Sequence, residues 1–237
     1  MDKEKMLEVL DLPKLTKKDT FSFGCNMCGE CCHNRDENVI MLNPLDVYKI
    51  AKYLNMEVKD FLFKYCHGYC GEVSKLPFVI LKAKMYRGVC PFLKDNRCTI
   101  QSVKPVVCAL FPLGRMTNSK TREFTYFQHR SDCGDKKKTQ TIEEYLTEFG
   151  ILEEEQFTIL WQQKCIEYAQ KLMKLKKKFP NLVGDFIFLG TILYLHYDIT
   201  KDFTSQFEEN CKVAEELLKT AINFKGSEND KKDFYLP

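Results

Sequence analysis

The stretch Cys25-Asn-Met-Cys28-Gly-Glu-Cys31-Cys32 decides how the rest of this chain is read. Cysteines three apart let a backbone curl round a metal centre with its amide N–H groups turned toward the sulfurs. Gly24 and Gly29 are expected to give that curl its φ freedom. Three cysteines in Cys-x-x-Cys-x-x-Cys resemble the run that wraps a [4Fe–4S] cubane in bacterial ferredoxins. Structural zinc more often takes paired Cys-x-x-Cys knuckles. The side chains of Cys31 and Cys32 are expected to diverge. That predicts either two four-ligand centres or one centre with buried spare thiols.

Further thiols lie downstream. Cys90-Pro91-Phe92-Leu93, Cys98-Thr99-Ile100 and Pro105-Val-Val-Cys108-Ala-Leu-Phe111-Pro112 form a second region, and Asp132-Cys133-Gly134 a third. The whole chain of 237 residues carries 12 cysteines, enough to suggest a secreted disulfide scaffold. Two features argue otherwise. The opening Met1–Leu15 is charged throughout and lacks the apolar region of a signal peptide. A chain this long can build a core without disulfide staples. A cytoplasmic location is therefore expected, where clustered thiols bind metal more often than they pair. The longest apolar stretch, Phe186–Tyr197, falls short of the roughly 20 residues that span a bilayer. Net charge is only +3, so neither nucleic acid nor a membrane surface is an expected partner.

The organisation reads as mainly α with a small β component, a cysteine-rich metal-binding lobe followed by a helical lobe. Residues 1–19 form an N-terminal extension with a helix over 2–12, residues 20–135 the cysteine lobe, and residues 136–237 the helical lobe. Within the cysteine lobe, Thr20–Asn38 is expected as loop or turns. Asn43, Pro44 and Asp46 make a helix start running to about Leu54. A second helix begins near Glu57. Pro77–Tyr86 reads as a strand, and Arg122–Gln128 as another that pairs with it or with Leu113–Thr117. In the helical lobe, Thr141 and Glu144 form a capping-box pattern for a helix to Phe149. Helices over 153–178, 182–197 and 204–223 follow, with a polar tail.

The CxxCxxCC run, followed by CPFL, Cys-x-Ile, Pro-x-x-Cys and Phe-Pro, resembles the YkgJ-type cysteine-cluster proteins, a zinc- or iron-chelating family named for that motif. The resemblance spans roughly residues 21–150. The segments LNPLDVYKIAKYL and DC…TIEEYL fit it as well. It implies that the family's eight cysteines are Cys25, Cys28, Cys31, Cys32, Cys90, Cys98, Cys108 and Cys133 here, and that they are metal ligands. The family's Arg-Pro and Cys-Arg are replaced by Lys104-Pro105 and Cys108-Ala109, with Arg115 downstream as the substitute arginine. A related branch, the flagellin lysine methylases, implies S-adenosylmethionine-dependent methylation of a protein substrate.

Thiolate-only sites favour zinc or iron–sulfur clusters. An iron–sulfur cluster is the expected cofactor, with zinc as the alternative. Three function classes stay open: a metal-binding protein, an enzyme of the methylase or redox kind, and a zinc-stabilised interaction module with a protein partner. Cys66, Cys70, Cys165 and Cys211 are expected to be buried packing residues, like the aromatics Phe186, Phe188, Tyr194 and Tyr197. Lys136–Lys138 and Lys176–Lys178 read as solvated faces.

Overall fold

The computed structural model describes residues 12–33, 40–83, 88–118, 121–179 and 185–224. The expected helix over 2–12 and the polar tail lie outside them, apart from Leu12. Among the described residues the fold is mixed α and β, with seven α-helices and nine short strands. The β share is larger than expected, because several strands lie in segments read as loop.

The chain divides into two compact units, residues 1–41 with 81–161, and residues 42–80 with 162–237. These differ from the boundaries at 20 and 135 that composition suggested. The capped helix and the residues after it, 42–80, pack with the C-terminal helices.

In the first unit, β1 (Thr20–Gly24) pairs antiparallel with β9 (Asp135–Thr141), Phe21 opposite Gln140 and Ser22 opposite Thr139. The alternation Thr-Phe-Ser-Phe turns Phe21 and Phe23 inward. Gly24 sits at a register shift in this ladder. A Cβ there would meet Lys138 Cδ at 2.8 Å, so it serves close approach rather than an unusual φ. β7 (Leu113–Thr117) and β8 (Phe124–Gln128) form a hairpin, the second of the two pairings left open for that strand, with Leu113 opposite Gln128. Helix α3 (Val106–Leu110) and helix α4 (Ile142–Glu148) complete the unit's core. Thr141 caps α4 as expected, its hydroxyl accepting the Glu144 amide while the Glu144 carboxylate accepts the Thr141 amide. Phe21, Phe23, Tyr126, Ile142, Tyr145 and Leu146 form one buried cluster. The Phe21 and Tyr145 rings meet edge to face at 5.2 Å.

In the second unit, α1 (Pro44–Tyr53) carries the expected capping box between Asn43 and Asp46. Its Val47, Ile50 and Ala51 are fully buried. Helix α2 (Val58–Tyr65) runs directly into β3 (Cys66–Cys70), which neighbours β4 (Pro77–Leu81) in a sheet. Helix α6 (Asp185–Tyr194) packs on α7 (Phe203–Asn223). Tyr48, Tyr197, Phe203 and Phe207 stack around this contact. Tyr194, Tyr197 and Cys211 are buried as expected, but Phe188 is 47% exposed and Cys70 is exposed too. Cys70 lies in a strand whose residues after Cys66 all face solvent. The long helix α5 (Glu155–Lys178) begins in the first unit and ends in the second.

Candidate metal centre

All eight motif cysteines belong to the first unit. The first four hang from the loop after β1. Asn26 Oδ1 accepts the Cys28 amide at 3.3 Å, which bends the chain at the first Cys-x-x-Cys. Met27 and Gly29 both take left-handed backbone angles, φ 58° and 80°. Gly29 then opens a 3-10 turn, Glu30–Cys32, with the Cys32 amide on Gly29 O at 2.9 Å. Glycine is required at 29 twice over, by its φ and by the approach of Asn96 O to 2.7 Å from where a Cβ would stand.

That neighbour belongs to a hairpin the sequence reading did not foresee. β5 (Leu93–Lys94) pairs with β6 (Arg97–Cys98) across Asp95-Asn96, both at positive φ. Two left-handed residues between two-residue strands form a tight hairpin turn that suits Asp and Asn. The Asp-Asn dipeptide was the signal available for it. The hairpin brings Cys98 back beside Leu93, and the Cys90 amide donates to Cys32 O at 2.8 Å. This last bond ties the first cysteine run to the second.

The thiols follow these backbone links. The Cys32 thiol hydrogen-bonds to those of Cys31 and Cys90, and these contacts, with burial, push it well above the usual thiol range. Cys31 and Cys32 therefore do not diverge. Burial also pushes Cys98 up, opposed by the Ile100 amide and the Lys104 ammonium. Cys133 is raised by burial, and its thiol meets that of Cys28. Cys25 and Cys133 pack against the Phe21–Tyr145 cluster. Tyr145 itself is fully buried, its hydroxyl donating to Phe111 O at 2.5 Å. Burial, then the nearby Cys25, Glu148, Cys31 and Cys133, raise its pKa. Cys108 sits in α3, half-buried beside Ala109 and Leu110, its amide on Pro105 O at 2.8 Å.

The sulfurs are thus gathered from segments more than 100 residues apart, and none of the 12 cysteines is in a disulfide. Among the described residues, however, no three cysteine, histidine, aspartate or glutamate side chains converge on a point as the ligands of one ion would. What the region offers is a set of soft donors, most of them half-buried, with several thiols in contact. Such thiols disfavour ionisation while only other thiols surround them, because adjacent thiolates repel. A cation or cluster among them reverses that and takes up the sulfurs as protons leave. The donor chemistry fits zinc or iron–sulfur and not a hard cation.

Two polar residues that sequence reading passed over touch this set. Gln101 Nε2 donates to Cys25 Sγ at 3.8 Å, and the Ser131 hydroxyl lies 3.2 Å from Cys133 Sγ. The pattern Ser131-Asp-Cys133 carried a local signal, a hydroxyl two residues before a cysteine whose amide it can cap. Arg115 lies in β7. Its guanidinium donates to Thr158 Oγ1 at 3.0 Å and lies over the Phe124 ring. Lys104 is placed differently, its ammonium 4.1 Å from the centre of the Phe149 ring.

A disulfide-free, thiol-rich segment on a small mixed core is the architecture of a cysteine-cluster domain. Residues 24–134 match the CxxCxxCC family, described as a "Putative zinc- or iron-chelating domain", and this segment is a domain of that YkgJ-type family. Over 107 residues the chain is 28% identical to the uncharacterized protein MJ0661 of Methanocaldococcus jannaschii, covering 44% of this chain and 52% of that one. The chain thus spans about half the length of this curated relative. No solved structure matches it. No helix among the described residues is long and apolar enough to cross a membrane.

Proposed function

We propose that residues 24–134 hold a cysteine-ligated iron–sulfur centre in a reducing, cytoplasmic setting. The observation that carries this reading is that thiols from distant segments meet, Cys32 with Cys31 and Cys90, and Cys133 with Cys28, while the Cys90 amide donates to Cys32 O. Twelve cysteines without a disulfide are what a reducing compartment maintains. The Cys25-x-x-Cys28-x-x-Cys31 spacing and the number of thiols suit a cluster better than a single ion. Cys25, Cys28, Cys31, Cys32, Cys90, Cys98, Cys108 and Cys133 are the residues that would hold it. Such a centre supplies one-electron chemistry or a structural cross-link. The chain's own residues curl the first run at Gly29, dock it on the hairpin and shield the Cys25 and Cys133 side with Phe23 and Tyr145. Metal binding would then contribute directly to the stability of this unit.

Purification without oxygen tests the reading. Brown protein with iron and acid-labile sulfide is expected. Colourless protein with stoichiometric zinc would overturn the iron–sulfur assignment in favour of a structural-zinc module. Protein free of metal under those conditions would overturn the centre altogether.

A further inference from the structure

We infer that Gln101 and Ser131 are hydrogen-bond donors to the sulfurs of Cys25 and Cys133, and that they set the electron-donating strength of those two thiolates toward a bound metal. The inference rests on the metal-centre reading above and extends it to residues outside the cysteine motif.

Cys25 and Cys133 are the two motif cysteines packed against the buried Phe21–Tyr145 cluster. Both are half-buried there, so a thiolate at either position is solvated in part by protein groups. Each has one. The Gln101 carboxamide, at the start of the 3-10 turn Gln101–Val103, points Nε2 at Cys25 Sγ from 3.8 Å. The Ser131 hydroxyl accepts the Cys133 amide at 3.2 Å, and its one proton is shared between Cys133 Sγ, at 3.2 Å, and Cys133 O, at 3.4 Å. Both donors are neutral across the working pH range. A neutral donor stabilises the thiolate without adding a charge that would compete with the cation. Hydrogen bonds to ligand sulfurs tune thiolate basicity and, in a cluster, the potential.

The probe is Co2+ alone, added to the full chain without oxygen after removal of any native metal. Its sulfur-to-cobalt charge-transfer band reports by intensity how many thiolates bind and by energy how readily they give up an electron. Gln101→Leu and Ser131→Ala are expected to keep the intensity, move the band to lower energy and weaken Co2+ binding by about 10-fold. Gln101→Glu keeps the shape but turns a donor into an anion, so it is expected to weaken binding more than Gln101→Leu. Ser131→Thr keeps the hydroxyl and is expected to restore the wild-type band. A purely structural role predicts the reverse order at 101, since glutamate fits the space of glutamine better than leucine. Wild-type protein with no band would overturn both the thiolate centre and this inference. A wild-type band with unchanged energy and affinity in all four variants would overturn this inference and leave the centre standing.

Discussion

Gly29→Ala is expected to destabilise the first unit by about 2–5 kcal/mol, and the reason can be separated into two parts. The first is backbone strain. Gly29 has φ +80°, and a residue with a Cβ pays about 1–2 kcal/mol to sit in the left-handed region. The second is collision. A methyl at 29 would stand 2.7 Å from Asn96 O, 2.9 Å from Leu93 Cδ1 and 3.1 Å from the Asn96 carbonyl carbon. The closest atom is backbone in a tight turn between two paired strands, so it cannot rotate away. Overpacking of this kind costs about 1–3 kcal/mol more. Gly150 isolates the first part. It also has positive φ, +66°, but nothing lies within 4 Å of its Cβ position, so Gly150→Ala should cost only about 1–2 kcal/mol. Gly68, in β3 with open space and no positive φ, should tolerate alanine without loss. Urea unfolding of the full chain, as purified and after chelation under reducing conditions, gives the three midpoints. The order Gly68, Gly150, Gly29 from least to most destabilised is expected in both. Equal midpoints for Gly29→Ala and Gly150→Ala would refute the claim that the cysteine turn is pressed on the hairpin.

Other consequences are checked with similar tools. Cys28→Ala should lower metal content and thermal stability together, while Cys211→Ala, buried in the second unit, should leave metal content unchanged. Thr141→Ala removes the hydroxyl half of the α4 capping box, leaving the backbone amide of residue 141 on the Glu144 carboxylate, and should cost about 1 kcal/mol in urea unfolding. In the second unit, the hydrogen bond from Lys171, with help from Lys164, holds the Glu167 carboxyl below its ordinary value. A lowered folded pKa means that stability is full above the unfolded value near 4.5 and is lost as pH falls through the folded one. Glu167→Gln should therefore be less stable than wild type at neutral pH, and the two should converge in acid. Burial pushes the Cys165 thiol up to about 12, whereas Cys70 is exposed. Brief alkylation near pH 8 followed by peptide mass spectrometry should mark Cys70 and spare Cys165.

Much of the helical architecture was legible in the residues themselves. Asn43-Pro44-Leu45-Asp46 and Thr141–Glu144 announce their helices because a cap and its partner lie within one turn. No distant group has to agree for either pair to form. The hairpin of β7 and β8 was readable for the same reason, as its strands are close in sequence and alternate. The β1–β9 ladder was missed although Thr20-Phe-Ser-Phe alternates, since nothing local names a partner 117 residues away, where Gln140 meets Phe23 O. No strand was expected over Cys66–Cys70, because Gly68 and the flanking cysteines carry no clear period, and neighbouring β4 is what makes it one.

The amino-acid sequence by itself determined which atoms are available for chemistry. The cysteines, their spacing and their family follow from residue identity alone, and so do the helix starts. Tertiary structure decided which sulfurs meet. Cys31 and Cys32 meet instead of parting, Cys133 comes to Cys28, and Arg115 donates to Thr158. It also decided that residues 42–80 join the C-terminal helices in one compact unit. Local propensity is settled over a few residues, whereas the company a side chain keeps depends on burying distant apolar faces together, and only the folded chain carries out that choice.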